Sequence, residues 1–334
     1  MNAFGIDLGT NNIKIYSRND DAILMEKNMI AIENKSKVFA YGDSAYEMYE
    51  KAPANIQISY PLSNGVIADI RNMETLIKYF ISDLSHGSYK AAEYYIAVPT
   101  DVTEVEKRAF YDLIKDAGVK AKKIMVVEKA VADGLGMDID VKTSQGVLVV
   151  NVGYETTEIS ILSLGGIVLS KLIKTGGLKL DESIRAAVRK EYSLIIGGKT
   201  AESIKMNLGE LEQDNKGAVV YGRDIITGLP VEREIPVNLI NECFEEHFHT
   251  IVDNVKVILE RTPPELGADI YRNGIYLTGG ASQVSHLAER LQSGTGLKVN
   301  VAEYPSTSVC IGLSKIIKDD RFRSVAYSIE GMSK

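Results

Sequence analysis

One short pattern occurs twice in this chain, and that repeat limits the fold more than any other feature. Phe4-Gly5-Ile6-Asp7-Leu8 is a short apolar run, Gly9-Thr10-Asn11-Asn12 carries turn chemistry, and Ile13-Lys14-Ile15-Tyr16 alternates as a half-buried strand does. The stretch from Val147 to Leu162, VLVVNVGYETTEISIL, has the same strand, turn and returning strand. Asp7-Leu8-Gly9 falls on Asn151-Val152-Gly153, 144 positions later, and Ile13-Lys14-Ile15 approximates Ile159-Ser160-Ile161. A solenoid would repeat every 20–50 residues or so, so this longer period implies a duplicated domain. Two related domains with facing hairpins enclose a cleft.

The rest of the chain fits that plan. At 334 residues it exceeds the roughly 250–300 at which a single core stops growing. Strand patterns alternate with helical ones, which gives an α/β class with mixed sheets. Thr103-Glu104-Val105-Glu106 reads as a capping box, with Val105, Ala109, Leu113, Ile114 and Ala117 at helical spacing and Gly118 as the stop. Thr262-Pro263-Pro264-Glu265 reads as a second helix entry. Val38 to Tyr41, followed by a helix to about Lys51, reads as part of an inserted subdomain, and Glu210 to Lys216 as a hairpin or loop surface. Lys120-Ala121-Lys122-Lys123 reads as a solvated loop. A third small-residue turn, Thr278-Gly279-Gly280-Ala281-Ser282, ends a strand and precedes a helix expected near Gln283.

Bulk properties exclude several classes. A formal net charge of −7 disfavours a nucleic-acid surface. Two distant cysteines, Cys243 and Cys310, fit a reducing compartment. No basic segment with a following apolar run opens the chain, and no uncharged stretch nears the roughly 18 residues of a spanning helix, so the expected location is cytoplasmic. Cys243, His247 and His249 are not expected to form a metal site, since the histidines point about 200° apart on a helix.

Small polar turns beside a strand-end carboxylate suit a phosphate, because successive backbone N–H groups converge on the anion while the acid directs a metal ion through water. Asp7 with Gly9, Thr10, Asn11 and Asn12 has that chemistry. The small residues at Gly279, Gly280 and Ala281 would let backbone approach a flat ring or ribose.

Taken in order, Gly5-Ile6-Asp7-Leu8-Gly9-Thr10, Pro61 to Asp69, Val98-Pro99-Thr100 through Ala109, Ile196-Gly197 through Glu202, Gly222-Arg223-Asp224 with Thr227-Gly228-Leu229-Pro230, Arg261 to Leu266 and Leu277-Thr278-Gly279-Gly280 resemble the MreB family, the bacterial actins of rod-shape determination. The resemblance implies an actin/Hsp70-type duplicated fold, two large domains each with a small subdomain around an ATP–Mg²⁺ cleft. The first domain would be 1–144 plus 317–334 with its subdomain at about 20–70, and the second 145–316 with its subdomain at about 180–250. It also implies head-to-tail filaments of the protein with itself, a link to the cell-wall synthesis machinery, and a place at the inner face of the cell membrane. By residue, it makes Asp7 the metal-directing acid and Gly9 to Asn12 the first phosphate turn. Asn151 and Gly153 belong to the second turn, Gly279, Gly280 and Ala281 to the adenosine site, and Glu202 and Lys205 to the ribose and base. Glu128 would orient the attacking water, which Thr156 would help hold.

Departures from the family pattern cluster in the second turn. Asn151, Tyr154 and Glu155 replace Asp, Gly and Gly, Leu178 stands where an acid is preferred, and Lys129-Ala130 replaces Glu-Pro. They imply slow or lost hydrolysis more than lost adenine binding. The membrane-facing tip, Ser85 to Lys90, offers only Tyr89 as an apolar body, so membrane contact is expected to be weak or indirect. Rival readings are a non-polymerising scaffold, a sugar kinase and a chaperone-type nucleotide switch; the last two would need more chain than ends at Lys334.

Overall fold

A computed structural model describes residues 2–87 and 90–330. The chain opens with an antiparallel meander, β1 (Ala3–Leu8), β2 (Asn12–Ser17) and β3 (Ala22–Lys27). All of β1 is buried, as its apolar run requires. The chain then leaves that sheet to build a small one from β4 (Ile30–Glu33), β5 (Lys37–Tyr41), the helix α1 (Asp43–Met48) and β6 (Ile56–Ser59). The meander strand β3 occupies 22–27 and belongs to the large sheet, and the separate sheet spans 30–59. The hairpin β7 (Leu62–Ser63) and β8 (Val66–Ile67) leads to α2 (Ile70–Leu84), which Asp69 caps by accepting from the Asn72 amide.

Next come β9 (Ala92–Val98), α3 (Glu104–Asp116), β10 (Ala121–Glu128) and α4 (Lys129–Gly136). The capping box at Thr103 and Glu106 forms, but Val105 points to solvent and the buried stripe of α3 is Phe110, Tyr111, Leu113 and Ile114. Ala121 to Lys123 are exposed yet belong to strand β10, because pairing with β9 satisfies their backbone. The tip expected at Ser85 to Lys90 includes Ser88 and Tyr89, which lie outside the described residues.

The second half repeats the plan with β11 (Val147–Val152), β12 (Thr157–Ser163), β13 (Gly166–Ile173) and α5 (Gly177–Tyr192). A second small sheet follows: β14 (Leu194–Ile195), α6 (Gly198–Asp214), β15 (Ala218–Asp224) and β16 (Pro230–Ile235). Glu210 to Asp214, expected as loop, are the last turn of α6, which ends at Asn215 in the left-handed region. The remaining elements are α7 (Val237–Glu260), α8 (Pro264–Asn273), β17 (Ile275–Thr278), α9 (Leu287–Thr295), β18 (Val299–Val301), α10 (Ser308–Lys318) and β19 (Ala326–Tyr327). No helix begins at Gln283; a single 3₁₀ turn over Gly280–Gln283 precedes α9.

Sheet topology demonstrates the duplication. The first large sheet runs β19-β10-β9-β1-β2-β3 and the second β13-β12-β11-β17-β18. In each, the hairpin pairs antiparallel and its first strand also pairs parallel with a later one, β9 or β17. Asp7 faces Lys14 across the first hairpin and Asn151 faces Glu158 across the second, so Glu158 occupies the place of Lys14. That register lies two residues from the alignment expected on Ile13 and Ile159. Between the sheets, α4 and α10 cross in a shared core drawing on Ala3 and Tyr16 from one side and Val149 and Leu162 from the other. The gap beside this crossing is the cleft.

Candidate functional site

Three turns form the cleft floor. In the first, the Asn28 amide donates to the Gly9 carbonyl at 2.9 Å, and the Asp7 carboxylate accepts from Lys14 Nζ at 3.1 Å. In the second, Gly153 N–H closes the turn onto the Thr156 carbonyl at 2.8 Å, while Gly177 N–H, at the start of α5, reaches the Gly153 carbonyl at 3.0 Å. Gly279 holds the third turn against the second, and its φ of +91° is a region that L side chains avoid. A Cβ there would sit 2.3 Å from the Val152 carbonyl and 2.5 Å from Asn151 Oδ1. The turns enclose a cleft of about 430 Å³, within the usual range for small-molecule sites.

The far wall comes from α6. One helical turn separates Glu202 from Lys205, so both face inward. The Glu202 carboxylate accepts from Tyr46 Oη at 2.6 Å and Asn11 Nδ2 at 3.3 Å and lies 3.5 Å from Lys27 Nζ, tying the second half to the first across the mouth. Burial opposes its charge, but the Tyr46 hydroxyl, Lys27 and Lys205 together hold it below the usual carboxyl range. Lys205 is buried against the Asp181 carboxylate at 2.9 Å and the Gly177 carbonyl at 3.1 Å. Burial raises Asp181 to about 6 although Lys205 pulls the other way. Glu50 also crosses the mouth, accepting from Gly198 N–H at 3.0 Å.

Asp7, Gly9, Thr10, Asn11 and Asn12 line the cleft from the first half. Asn151, Gly153, Thr156, Glu202, Lys205, Gly279, Gly280 and Ala281 line it from the second. Glu155, which stands where the family pattern has a glycine, turns out of the lining and accepts from the Asn64 backbone N–H. Tyr154 stays inside, its ring 5.8 Å from Lys205 Nζ and 6.3 Å from the Tyr60 ring.

Glu128 requires a correction. Its carboxylate accepts from Lys107 at 3.1 Å and Tyr327 Oη at 2.6 Å and is not part of the lining. The chain turns from β10 into α4 at this point, and the next residue, Lys129, faces the cleft instead. Lys129 Nζ lies 2.7 Å from Glu158, which also accepts from the Thr100 backbone N–H at 2.8 Å and Oγ1 at 3.1 Å. Burial weighs against the Lys129 charge, yet Glu158, Asp7 and Asp133 raise its affinity for the proton above the ordinary lysine value.

Behind Asn151 lies Asp133, fully buried, its carboxylate accepting from Asn151 Nδ2 and Ser308 Oγ at 2.6 Å each. Burial raises its pKa to about 7, with Lys129, Ser308 and Asn151 opposing. The folded protein therefore keeps a proton on Asp133 where the unfolded chain has lost it, and stability falls as pH rises from the ordinary carboxyl range through about 7. Asp133→Asn is expected to remove that slope and to be more stable than the parent by roughly 3 kcal/mol at pH 8, with the two converging near pH 4. Thermal melts across that range check it, and parallel curves would contradict it.

The residues do not fit a divalent metal directed by Asp7. Each carboxylate in the lining is already matched: Asp7 by Lys14, Glu158 by Lys129, and Glu202 by Lys27 and Tyr46. Among the described residues no group of three or more His, Cys, Asp or Glu side chains could hold a metal ion, and His247 instead bonds Ser183 at 2.6 Å.

A duplicated pair of large sheets, each with a small accessory sheet and a glycine hairpin turned toward a shared cleft, defines the actin-type class of two-lobed proteins. The MreB5 crystal structure of Spiroplasma citri bound to ADP superposes with a TM-score of 0.89 at 34% identity, covering 97% of this chain and 98% of that one. The AMPPNP-bound MreB5 structure gives 0.89 at 32% over the same shares. The family model described as MreB/Mbl protein matches residues 1–324, and the chain belongs to that family. The cell shape-determining protein Mbl of Bacillus subtilis (strain 168) is 38% identical over 314 residues, 92% of this chain and 93% of its own. The cell shape-determining protein MreB of Escherichia coli (strain K12) is 34% identical over 326 residues, 95% and 93% respectively.

Proposed function

We propose that this chain is an actin-family cytoskeletal protein that binds ATP between its lobes, assembles head-to-tail into filaments and serves cell shape and wall synthesis. The carrying observation is the triad of tight turns, Gly9 to Asn12, Gly153 to Thr156 and Gly279 to Ala281, converging on one cleft. Relatives of the same fold, at about a third identity, have been solved with ADP and with AMPPNP. A heterologous contact between copies does not close, so it propagates as a filament. The two lobes are assigned to 1–144 plus 317–334 and 145–316, with the shared α4–α10 layer as the hinge region. Work at the inner face of the membrane would proceed through weak or indirect contact; no helix among the described residues is long and apolar enough to cross a membrane.

Hydrolysis should be slow. Phosphoryl transfer depends on positioned charge, yet Glu128 is bound to Lys107 and Tyr327, and a cationic Lys129 faces the cleft. Phosphate release is expected to be about tenfold or more slower than that of the E. coli relative assayed alongside. Equal rates would contradict this. Pelleting and negative-stain microscopy with and without AMP-PNP test assembly itself: nucleotide-dependent sedimenting filaments are the expected result. Monomers at every concentration would favour the non-polymerising scaffold or nucleotide-switch reading.

A further inference from the structure

The charge of the cleft differs from that of a site built around a metal ion. Its lining holds four lysines, Lys14, Lys27, Lys129 and Lys205, and three carboxylates, Asp7, Glu158 and Glu202, while Lys205 is paired with Asp181 behind the wall. A divalent cation needs carboxylate oxygens free to meet it or its water shell, and here every carboxylate of the lining already faces a lysine.

Two substitutions at the cleft floor act in the same direction. Position 151, which matches Asp7 in the duplicated hairpin, is a neutral Asn, and its Nδ2 is turned to the buried Asp133 at 2.6 Å. The acid behind it is sealed from the cleft, with 0% exposure and both oxygens engaged. At the same time Lys129 brings an ammonium to the floor, its side chain 15% exposed. An ammonium has three donors, and Glu158 takes one at 2.7 Å, so further donors remain for oxygens entering the cleft.

From this juxtaposition we infer that the cleft binds the nucleotide polyphosphate as its metal-free anion, with the Lys129 ammonium serving as the resident counter-cation. The inference rests on the nucleotide reading above. It concerns only which cation accompanies the phosphates, and a lysine can fill that role because it meets phosphate as a compact point charge.

The test is a fluorescence titration of the full chain with N-methylanthraniloyl-ATP in two buffers, one with Mg²⁺ and one with EDTA. Dissociation constants agreeing within about threefold are the expected result. Binding that weakens by about tenfold or more in EDTA would overturn the inference and leave the nucleotide reading intact. An absence of binding in both buffers would overturn both. The double variant Lys129→Gln/Glu158→Gln removes the resident cation without stranding a buried charge, and a circular dichroism melt checks its fold. Its affinity in EDTA should fall by about tenfold, with Mg²⁺ recovering part of the loss. Unchanged affinity in EDTA would mean that Lys129 is not the counter-cation.

Discussion

Gly312→Ala should lower the thermal midpoint by about 6–7 °C, the equivalent of about 4–5 kcal/mol in a chain of this length. In the α4–α10 crossing, a Cβ on Gly312 would lie 1.8 Å from the Ala132 carbonyl oxygen and 2.6 Å from its carbon. The approach is reciprocal, since a Cβ on Gly136 would lie 1.9 Å from the Ser308 carbonyl oxygen. Backbone cannot swing away as a side-chain tip does, and both helices are held between two sheets in one packed core. Separating them would also shift Ser308 and Val309, which hold Asp133 and line the cleft, so nucleotide binding should weaken with stability. Gly267→Ala supplies the control: it sits in α8 where an added Cβ meets nothing within 4 Å. There the change should be neutral or stabilising by about 0.5–1 kcal/mol, as helix propensity dictates. Calorimetric melts of the two variants that coincide would contradict the close crossing.

Glu158→Gln should cost about 3 kcal/mol, because it leaves the Lys129 ammonium, its side chain only 15% exposed, without its carboxylate. Asp7 and Asp133 bear on the same ammonium but do not replace a 2.7 Å contact. The carboxamide can still accept from Thr100, so the loss reports the charge and not the local hydrogen bonding. Adding Lys129→Met removes the stranded charge as well, and the double variant should recover most of the lost stability. A double-mutant cycle by urea denaturation gives the coupling directly. Additive losses would show that the two side chains do not interact in solution, against the geometry.

The duplicated hairpin is the part of the fold most legible in sequence, because its strands are defined by a period of two and its turns by Gly, Thr and Asn chemistry. Capping at Thr103 and the Pro-rich entry to α8 were equally local and equally readable. Misreadings arose where long-range pairing overrode local composition. Ala121 to Lys123 look like solvated loop yet are strand, because β9 supplies their partners. Glu210 to Asp214 look like surface loop yet continue α6, since a charged face is what an exposed helix end presents.

The candidate site divides in the same way. Turn residues are visible in sequence because the backbone conformation they permit is written in their type. Lys129, Glu158 and Asp133 are less visible, because their roles depend on contacts 18 to 175 positions apart. Glu128 and its neighbour exchange roles through a one-residue change in which side chain faces inward where β10 gives way to α4. Periodicity alone does not fix that phase. One clue was present, since the return strand of the second hairpin carries an acid where the first carries Lys14, and a buried acid requires a nearby cation.

Isothermal titration calorimetry of AMP-PNP into the purified chain tests the central claim most directly. A saturable heat with one nucleotide bound per chain is expected, abolished by Gly279→Val, which would drive a side chain into the Val152 carbonyl. A flat titration of the folded parent protein would contradict it.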